Sequence, residues 1–420
     1  MIDDRVLQGP RQADDCYAFL EWQSNEVTRS LVGFTGLITP FPDNLSPAEW
    51  KGLAARYATI KEWQSTTLKL FSSSLEGLVT PAVAELFLRE IPPYLASYHR
   101  DIASSAPINT PMFFRTDEAV LGKIVEVQSP GSLWGTYEQL QDYYRAHGLS
   151  LGADLSEKWA AALAAEIGKP PIIHHFFNLF WASESYFAQK ARRFVRYYGY
   201  DKGVRPLDCN FVRAHHYLMV VDEALFARRR EAWAARTLHY DVPPIAIYQQ
   251  KIQMCLPFWP ITRQYYSDAV RELFPHTSLV TTQGVLLEEG EELSIAQFCA
   301  LPRRRREYFL KYGGPDMSRN WGAMAVYNTA KLSQRACLEL LELVVRESGY
   351  WIMQRACTQS CEVDYLQRDI SIARLKVHPK YSCFYGPRGL LGVLNMYETC
   401  YKVHGSTETI MTVATPAEGD

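Results

Sequence analysis

The sequence predicts an α+β or α/β fold in which two sheets face one another behind a helix-rich N-terminal region. Three features predict it: a polar hairpin within Phe113 to Thr136, a strand, loop, strand, helix, strand succession within Glu307 to Thr358, and alternating strand-like and helical segments between Pro170 and Thr282.

The hairpin reads FFRTDEAVLGKIVEVQSPGSLWGT, with Phe113 and Phe114 ahead of Arg115 and with Ile124, Val125 and Val127 interleaving Glu126 and Gln128. Alternate side chains of a strand share a face, so Arg115 lies with Asp117 and Glu126 with Gln128. Glu118 to Lys123 make the connection, and Gly122 supplies its unusual dihedral. Four groups then converge on one patch. Carboxylate and amide oxygens suit a hard cation, and a guanidinium suits the phosphate such a cation carries. A half-exposed hairpin with a wet polar face is the bland alternative.

In the second succession, Glu307 to Tyr312 is a short strand with Lys311 near its end, and Ala323 to Tyr327 is another. Gly313, Gly314 and Gly322 between them allow backbone amides to approach an anion closely. A helix follows, capped by Asn328 or Thr329, with Leu332, Ala336, Leu340, Leu343 and Val344 as its apolar stripe and Gly349 at its left-handed end. Tyr350 to Gln354 is the next strand. Singly, a lysine at a strand end is commonly a solvated edge charge, and Gly-Gly loops are common. In this order they describe a nucleotide clamped between two sheets.

With these residues the chain resembles the ATP-grasp ligases, specifically the circularly permuted branch that includes glutathionylspermidine synthetases. That branch carries R-x-D, a spacer and E-x-N ahead of its lysine loop; here stand Arg115, Asp117, Glu126 and, in place of asparagine, Gln128. The resemblance implies ATP and Mg2+ as cofactors, with Asp117, Glu126 and Gln128 on the metal and Arg115 facing the transferred phosphoryl group. It implies Lys311 on the ATP phosphates and Gly313 and Gly314 in a loop closing over them. Met353, Gln354 and Arg355 would border the adenine, Gln354 mainly through its backbone. Arg374 is a further catalytic candidate in what would be the family's final strands, with Lys376 and His404 below it in rank. The family's second phosphate-side lysine has no clear counterpart, and Arg303 to Arg306 contain the nearest substitute. The implied activity is ATP-dependent ligation of a small-molecule carboxylate to an amine through an acyl phosphate. The alternative is a catalytically inactive nucleotide-binding or partner-docking protein, which Gln128 and the missing lysine favour.

The remaining features set bounds. A chain of 420 residues, 47% hydrophobic, can bury two or three cooperating cores, and no stretch has the uninterrupted apolarity of a membrane span. The polar, acidic N-terminus is not a secretory signal, and nine cysteines without a C-x-x-C pair suggest reduced thiols in a cytoplasmic protein. A net charge of -2 argues against a general nucleic-acid binder, leaving Arg228 to Arg230 and Arg303 to Arg306 as local basic runs. The pairs His174-His175 and His215-His216 point apart on regular backbone, and no H-E-x-x-H, G-x-S-x-G, Walker or G-x-G-x-x-G motif is present. The expected partition is a helix-rich region at 1–106, the metal-bearing hairpin and alternating segments at 107–290, a nucleotide-gripping region at 291–415 and a tail at 416–420. Within it, PPIIHHF, PPIAIYQQ and TSLVTT read as strands of a mostly parallel sheet, and Asp154 with Glu157 reads as a capping box. Trp181, Tyr186, Trp259 and Tyr265 fit either an acceptor pocket or core.

Overall fold

Side-chain alternation along the long strands buries two different faces, and this decides how the layers stack. The computed structural model describes residues 39, 42–91, 96, 110–129, 132–146, 149, 151–176, 181–198, 209–214, 231–232, 235–243, 245–316, 319, 325–347, 350–366, 372–400, 403 and 409–417. The described strands, in chain order, are β1 (Asp43–Leu45), β2 (Phe114–Val120), β3 (Lys123–Gln128), β4 (Ile172–Phe176), β5 (Arg196–Tyr198), β6 (Phe211–Ala214), β7 (His239–Tyr240), β8 (Thr277–Leu279), β9 (Val285–Leu286), β10 (Glu292–Leu293), β11 (Tyr308–Tyr312), β12 (Val326–Asn328), β13 (Trp351–Arg355), β14 (Cys361–Leu366), β15 (Ile372–Gly386), β16 (Gly389–Glu398) and β17 (Ile410–Pro416). The helices are α1 (Pro47–Leu75), α2 (Ala82–Leu88), α3 (Trp134–Ala146), α4 (Leu155–Ile167), α5 (Trp181–Ala191), α6 (Asp268–Leu273), α7 (Ile295–Ala300) and α8 (Gln334–Glu347).

The chain is a mixed α/β protein with three main sheets. The largest runs β1-β17-β16-β15-β2-β3, with β14 paired to the early part of β15; the second is β12-β11-β13-β8 and the third β5-β4-β6-β7. One face of the largest sheet sends Phe114, Cys383, Tyr385, Val393 and Ala414 into a core shared with α1, α2 and the second sheet. The neighbouring residues Phe113, Phe384, Leu394 and Val413 point the other way, into a core with α3, α4, α5 and the third sheet. Strands on either side of residue 290 pair with each other, β2 with β15 and β8 with β13. Helix α1 starts at a reciprocal capping box between Ser46 and Glu49, with Pro47 in its first turn. Residues 1–38, the rest of the expected helix-rich start, lie outside the described residues. No helix among the described residues is long and apolar enough to cross a membrane.

Several local expectations are corrected. The third sheet is parallel throughout, yet PPIAIYQQ is not one of its strands: Ala246–Gln249 and Lys251–Cys255 are 3-10 turns. Pro243 and Pro244 lack the N–H groups that a ladder needs. The TSLVTT strand β8 is antiparallel to β13 and belongs to the second sheet. Helix α8 begins six residues after Asn328, which caps a 3-10 turn instead, and Ser333 accepts the N–H of Ala336 at 3.1 Å. That start turns Cys337, Leu341 and Val344 inward and leaves Leu343 exposed. Gly322, Ala323 and Gly349 lie outside the described residues.

The Asp154–Glu157 capping box does not form either. Gln141 accepts the N–H of Leu155 at 3.2 Å, Glu138 accepts that of Ser156, and Asp154 pairs with Arg145 and, at 3.2 Å, with Lys190. Two cations in reach of one carboxylate outcompete its own backbone amide. Burial pushes the Glu138 carboxyl up to about 7 against the Ser156 hydrogen bonds that pull it down. Its folded pKa lies above the unfolded value, so its contribution to stability is full below the ordinary glutamate range and is lost as pH rises through 7. Glu138→Gln is expected to stabilise the protein on the order of 1–3 kcal/mol at pH 8 and hardly at all at pH 4, as urea melts of both proteins will show.

Candidate functional site

The β2–β3 hairpin brings its four polar residues onto one face. Arg115 stands opposite Gln128 and Asp117 opposite Glu126, and the same-face alternation extends to Ser382 on β15, directly across from Asp117. The connection is tighter than expected, a two-residue turn at Leu121 and Gly122. Gly122 has the expected positive φ, 101°, and its N–H donates to Glu118 at 2.7 Å, the carboxylate that also holds Arg56 at 2.8 Å.

Arg115 grips Asp117 with a fork, Nε to Oδ1 at 2.9 Å and Nη2 to Oδ2 at 3.1 Å, and its Nη1 donates to the carbonyl of Ser132 at 2.7 Å. Ser382 donates to Asp117 at 2.7 Å, and the Lys380 ammonium lies 3.4 Å from the second oxygen. Burial alone would raise the Asp117 carboxyl. Arg115, Lys380 and the Ser382 hydrogen bond outweigh it and hold the carboxyl well below the usual range.

Two lysines reach this hairpin, one from the second sheet and one from a 3-10 turn stitched to it. Lys311 on β11 donates to the Gln354 side chain at 2.6 Å and to the Val125 carbonyl of β3 at 3.1 Å. Lys251, in the 3-10 turn, pairs with Glu126 at 3.1 Å. The N–H of Ile252 beside it donates to the Gly313 carbonyl at 3.1 Å, which stitches that turn to the end of β11. Burial pushes the Lys311 ammonium down to about 8, against the pull of Glu126, and Lys251 and Lys380 add to the depression. Burial alone would raise the Glu126 carboxyl, and Lys251, Lys380 and Arg115 together outweigh it and hold the carboxyl below its ordinary value. Four cations, Arg115, Lys251, Lys311 and Lys380, thus surround two carboxylates, Asp117 and Glu126. Such an excess suits an anion.

Other expected residues are placed differently. Gly313 and Gly314 have no positive φ; they are small because the space is filled. A Cβ on Gly313 would meet the Ile252 nitrogen at 2.9 Å, and one on Gly314 would meet Tyr312 Oη at 2.5 Å. The Gly313 N–H is already given to the Tyr350 carbonyl at 2.7 Å, so it is not offered to an anion. Met353 and Gln354 sit on β13, an interior strand paired on both sides, so Gln354 works through its side chain, which holds Lys311 and donates to Thr277 at 3.1 Å. Arg355 lies over the Tyr308 ring at 5.2 Å. Arg374 is 60% exposed and forks onto Asp364 of β14 at 2.8 and 3.0 Å. It precedes Lys380 by six residues on β15, about 20 Å along the strand, and the structure does not bring it to the cluster. Lys376 stands opposite Glu362 on the same hairpin, and His404 lies outside the described residues. Arg306 cannot substitute for a second lysine: its guanidinium is spent on the carbonyls of Leu301, Thr329 and Leu332, and Arg303–Arg305 form an outer 3-10 turn. Tyr265 is exposed, Tyr186 bonds Asp142, Trp259 packs against the first core, and the Trp181 side chain lies outside what is described.

Sequence reasoning missed Lys251, Lys380 and Ser382. For the last two the signal was present, since they alternate as polar residues within the otherwise apolar KYSCFYG of β15. A further buried charge lies on the same side of the large sheet. Leu133, next to the Ser132 that holds Arg115, has a φ of 74°, an uncommon conformation for a branched side chain. Trp134 follows it and covers Arg213 at 5.0 Å, with Phe187 at 5.1 Å. Arg213, fully buried on β6, faces Glu184 at 3.5 Å and Asp241 at 3.7 Å.

No family model matches the chain, and no curated protein matches it. Among solved structures, the chain is similar to a glutathione synthetase-like effector from Globodera pallida, determined in its apo form, with a TM-score of 0.55, 11% identity, and 99% of this chain and 98% of that chain covered. At that identity the likeness is one of fold: the chain shares the overall architecture of a glutathione synthetase-like protein.

Proposed function

We propose that the chain is an ATP-grasp-type ligase that uses ATP and Mg2+ to join a carboxylate to an amine through an acyl phosphate. The observation that carries this reading is the meeting of Lys311, from the second sheet, and of Lys251, from the 3-10 turn stitched to the end of β11, with the Val125 and Glu126 positions of the hairpin that bears Arg115 and Asp117. Two sheets gripping one charged cleft is the arrangement expected of a nucleotide clamp, and the glutathione synthetase-like neighbour supports the fold side of it. Lys251 supplies the second phosphate-side lysine.

The residues fit both groups. An excess of cations suits a triphosphate. No group of three or more His, Cys, Asp or Glu side chains among the described residues is arranged to hold a metal alone. Magnesium is commonly bound by one or two carboxylates and completed by phosphate oxygens. Glu126 and Gln128 would hold the ion, joined by Asp117 once Arg115 turns to the phosphoryl group. When bound, magnesium neutralises phosphate charge.

In the proposed reaction an oxygen of the substrate carboxylate attacks the γ-phosphorus and ADP leaves. The amine then attacks the acyl carbon, losing a proton, and inorganic phosphate departs. Lys311, Lys251 and Arg115 stabilise the charge that develops on the transferred group, and Ser132 keeps Arg115 oriented. No enzyme nucleophile is required. Exclusion of water from the cleft protects the acyl phosphate from hydrolysis.

One observation favours a second reading, a nucleotide-binding protein without turnover: both Asp117 oxygens are already occupied, by Arg115, Ser382 and Lys380. ADP release separates the two. The ligase releases ADP only when an acid and an amine from a suitable panel are present together with magnesium, and Glu126→Ala abolishes that release in a folded protein. A binder releases none with any pair. For either reading, millimolar ATP is expected to raise the melting temperature, and magnesium to enlarge the rise; an unchanged melt removes the nucleotide site.

A further inference from the structure

Asp117 and Glu126 stand directly opposite each other on β2 and β3, so two carboxylates on neighbouring strands face one cleft. Side chains in such a pair lie about 5 Å apart at Cβ, close enough for each to anchor one ion of a two-metal phosphate site, whose ions sit about 3.5–4 Å apart. The two carboxylates are not equivalent. Asp117, on an interior strand, is 1% exposed and has both oxygens taken, Oδ1 by Arg115 and Ser382 and Oδ2 by Arg115 and Lys380. Glu126, on the last strand of the sheet, is 28% exposed, and among the described residues its ion pair is with Lys251 through Oε1. Lys380 is no loose surface charge: its side chain is 13% exposed, and its Nζ lies 3.4 Å from Asp117 Oδ2. It precedes by two residues the Ser382 that lies across from Asp117, and so shares a face of β15 with it.

Resting on the magnesium-nucleotide reading of this cleft, we propose that Lys380 is a built-in cation that fills the place of a second metal ion at Asp117, so that the chain loads ATP with one magnesium ion and not two. When Arg115 turns to the phosphoryl group, Ser382 still holds Asp117 Oδ1, which is then free to join the ion on Glu126 and Gln128. Oδ2 stays with Lys380. A magnesium ion needs that oxygen at about 2.0–2.1 Å within near-octahedral surroundings, and an ammonium already set against it leaves neither the room nor the negative charge. Like charges at this range, at a buried carboxylate, also repel strongly. A lysine ammonium is a compact point charge, so it offers the phosphates a fixed positive charge where a two-metal site would offer a diffusible one.

The test counts ions. The whole chain is saturated with the β,γ-imido analogue of ATP and titrated with Mn2+, which shares magnesium's preference for octahedral oxygen ligands. Free Mn2+ is read by electron paramagnetic resonance, bound analogue by equilibrium dialysis, and ions bound without nucleotide are subtracted. Wild type is expected to hold one Mn2+ per bound analogue. Lys380→Met is expected to hold two, with the broadened spectrum of coupled spins about 3.5–4 Å apart. Lys380→Arg, which keeps the charge, is expected to stay at one. A lysine with a merely structural role would change the melting temperature and leave the count alone. Two ions per analogue in wild type overturn the proposal and leave the nucleotide reading standing, and so does a single ion in folded Lys380→Met. Should Lys380→Met not fold, the wild-type count decides. A chain that binds no analogue at any Mn2+ concentration overturns the nucleotide reading and this proposal with it.

Discussion

Replacing Lys311 by methionine is expected to weaken ATP binding at least tenfold while leaving the melting temperature at pH 7 unchanged or higher. A lysine on phosphate makes charge-assisted contacts of about 1.5–3 kcal/mol, which sets the loss. The stability side follows from burial. Desolvation pushes the Lys311 ammonium down to about 8, so its folded pKa lies below the unfolded one. Below pH 8 the folded chain must carry a buried charge, and stability recovers only as pH rises through 8 toward the ordinary lysine range. Methionine keeps most of the volume and removes that cost, offset by the lost hydrogen bonds to Gln354 and Val125. A side chain kept at the expense of stability is typical of functional sites. Equilibrium nucleotide binding and a thermal melt on the same preparation check both halves; a structural lysine would show lower stability and no change in binding.

Gly314→Ala is expected to destabilise the fold by about 1–3 kcal/mol or more through overpacking. The new Cβ would lie 2.5 Å from Tyr312 Oη and 2.8 Å from Tyr350 Cγ. Neither ring can swing away freely, because Tyr312 donates to Glu90 at 2.6 Å and Tyr350 accepts the Glu90 N–H at 2.9 Å. Gly313→Ala acts differently. Its Cβ would strike the Ile252 nitrogen at 2.9 Å and push on the turn that carries Lys251, so nucleotide affinity should fall together with stability. Denaturant melts and ATP titrations of the two single variants separate packing from site displacement; identical behaviour of both would contradict the placement of Lys251.

The hairpin was legible because alternation and one turn glycine fix a register, and the register alone places Arg115, Asp117, Glu126 and Gln128 together. Lys311 was singled out by the order of strand, glycine loop, strand and helix around it, and its burial is a finding of the structure. Lys251 was not: it stands in a 3-10 turn after two prolines, where no period assigns a face, and it reaches the cluster through a tertiary bond from Ile252 to Gly313. Arg374 was a candidate through the resemblance of its segment to the family's final strands, but the pattern within β15 could not show that a partner strand, β14, supplies Asp364 to neutralise it. The glycines were read as an anion cradle because conformational freedom and tight packing leave the same mark on a sequence. The capping box at Asp154 failed because Arg145, at the end of α3, and Lys190, on α5, reach the same carboxylate, which no pattern within 154–157 shows.

The most direct test of a magnesium–ATP clamp between the two sheets is calorimetric titration of ATP into the folded chain, with and without magnesium, beside Lys251→Met. Saturable binding that magnesium strengthens, and that Lys251→Met weakens at least tenfold, is the predicted result. Absence of binding at millimolar ATP, or binding indifferent to both magnesium and Lys251, would contradict it.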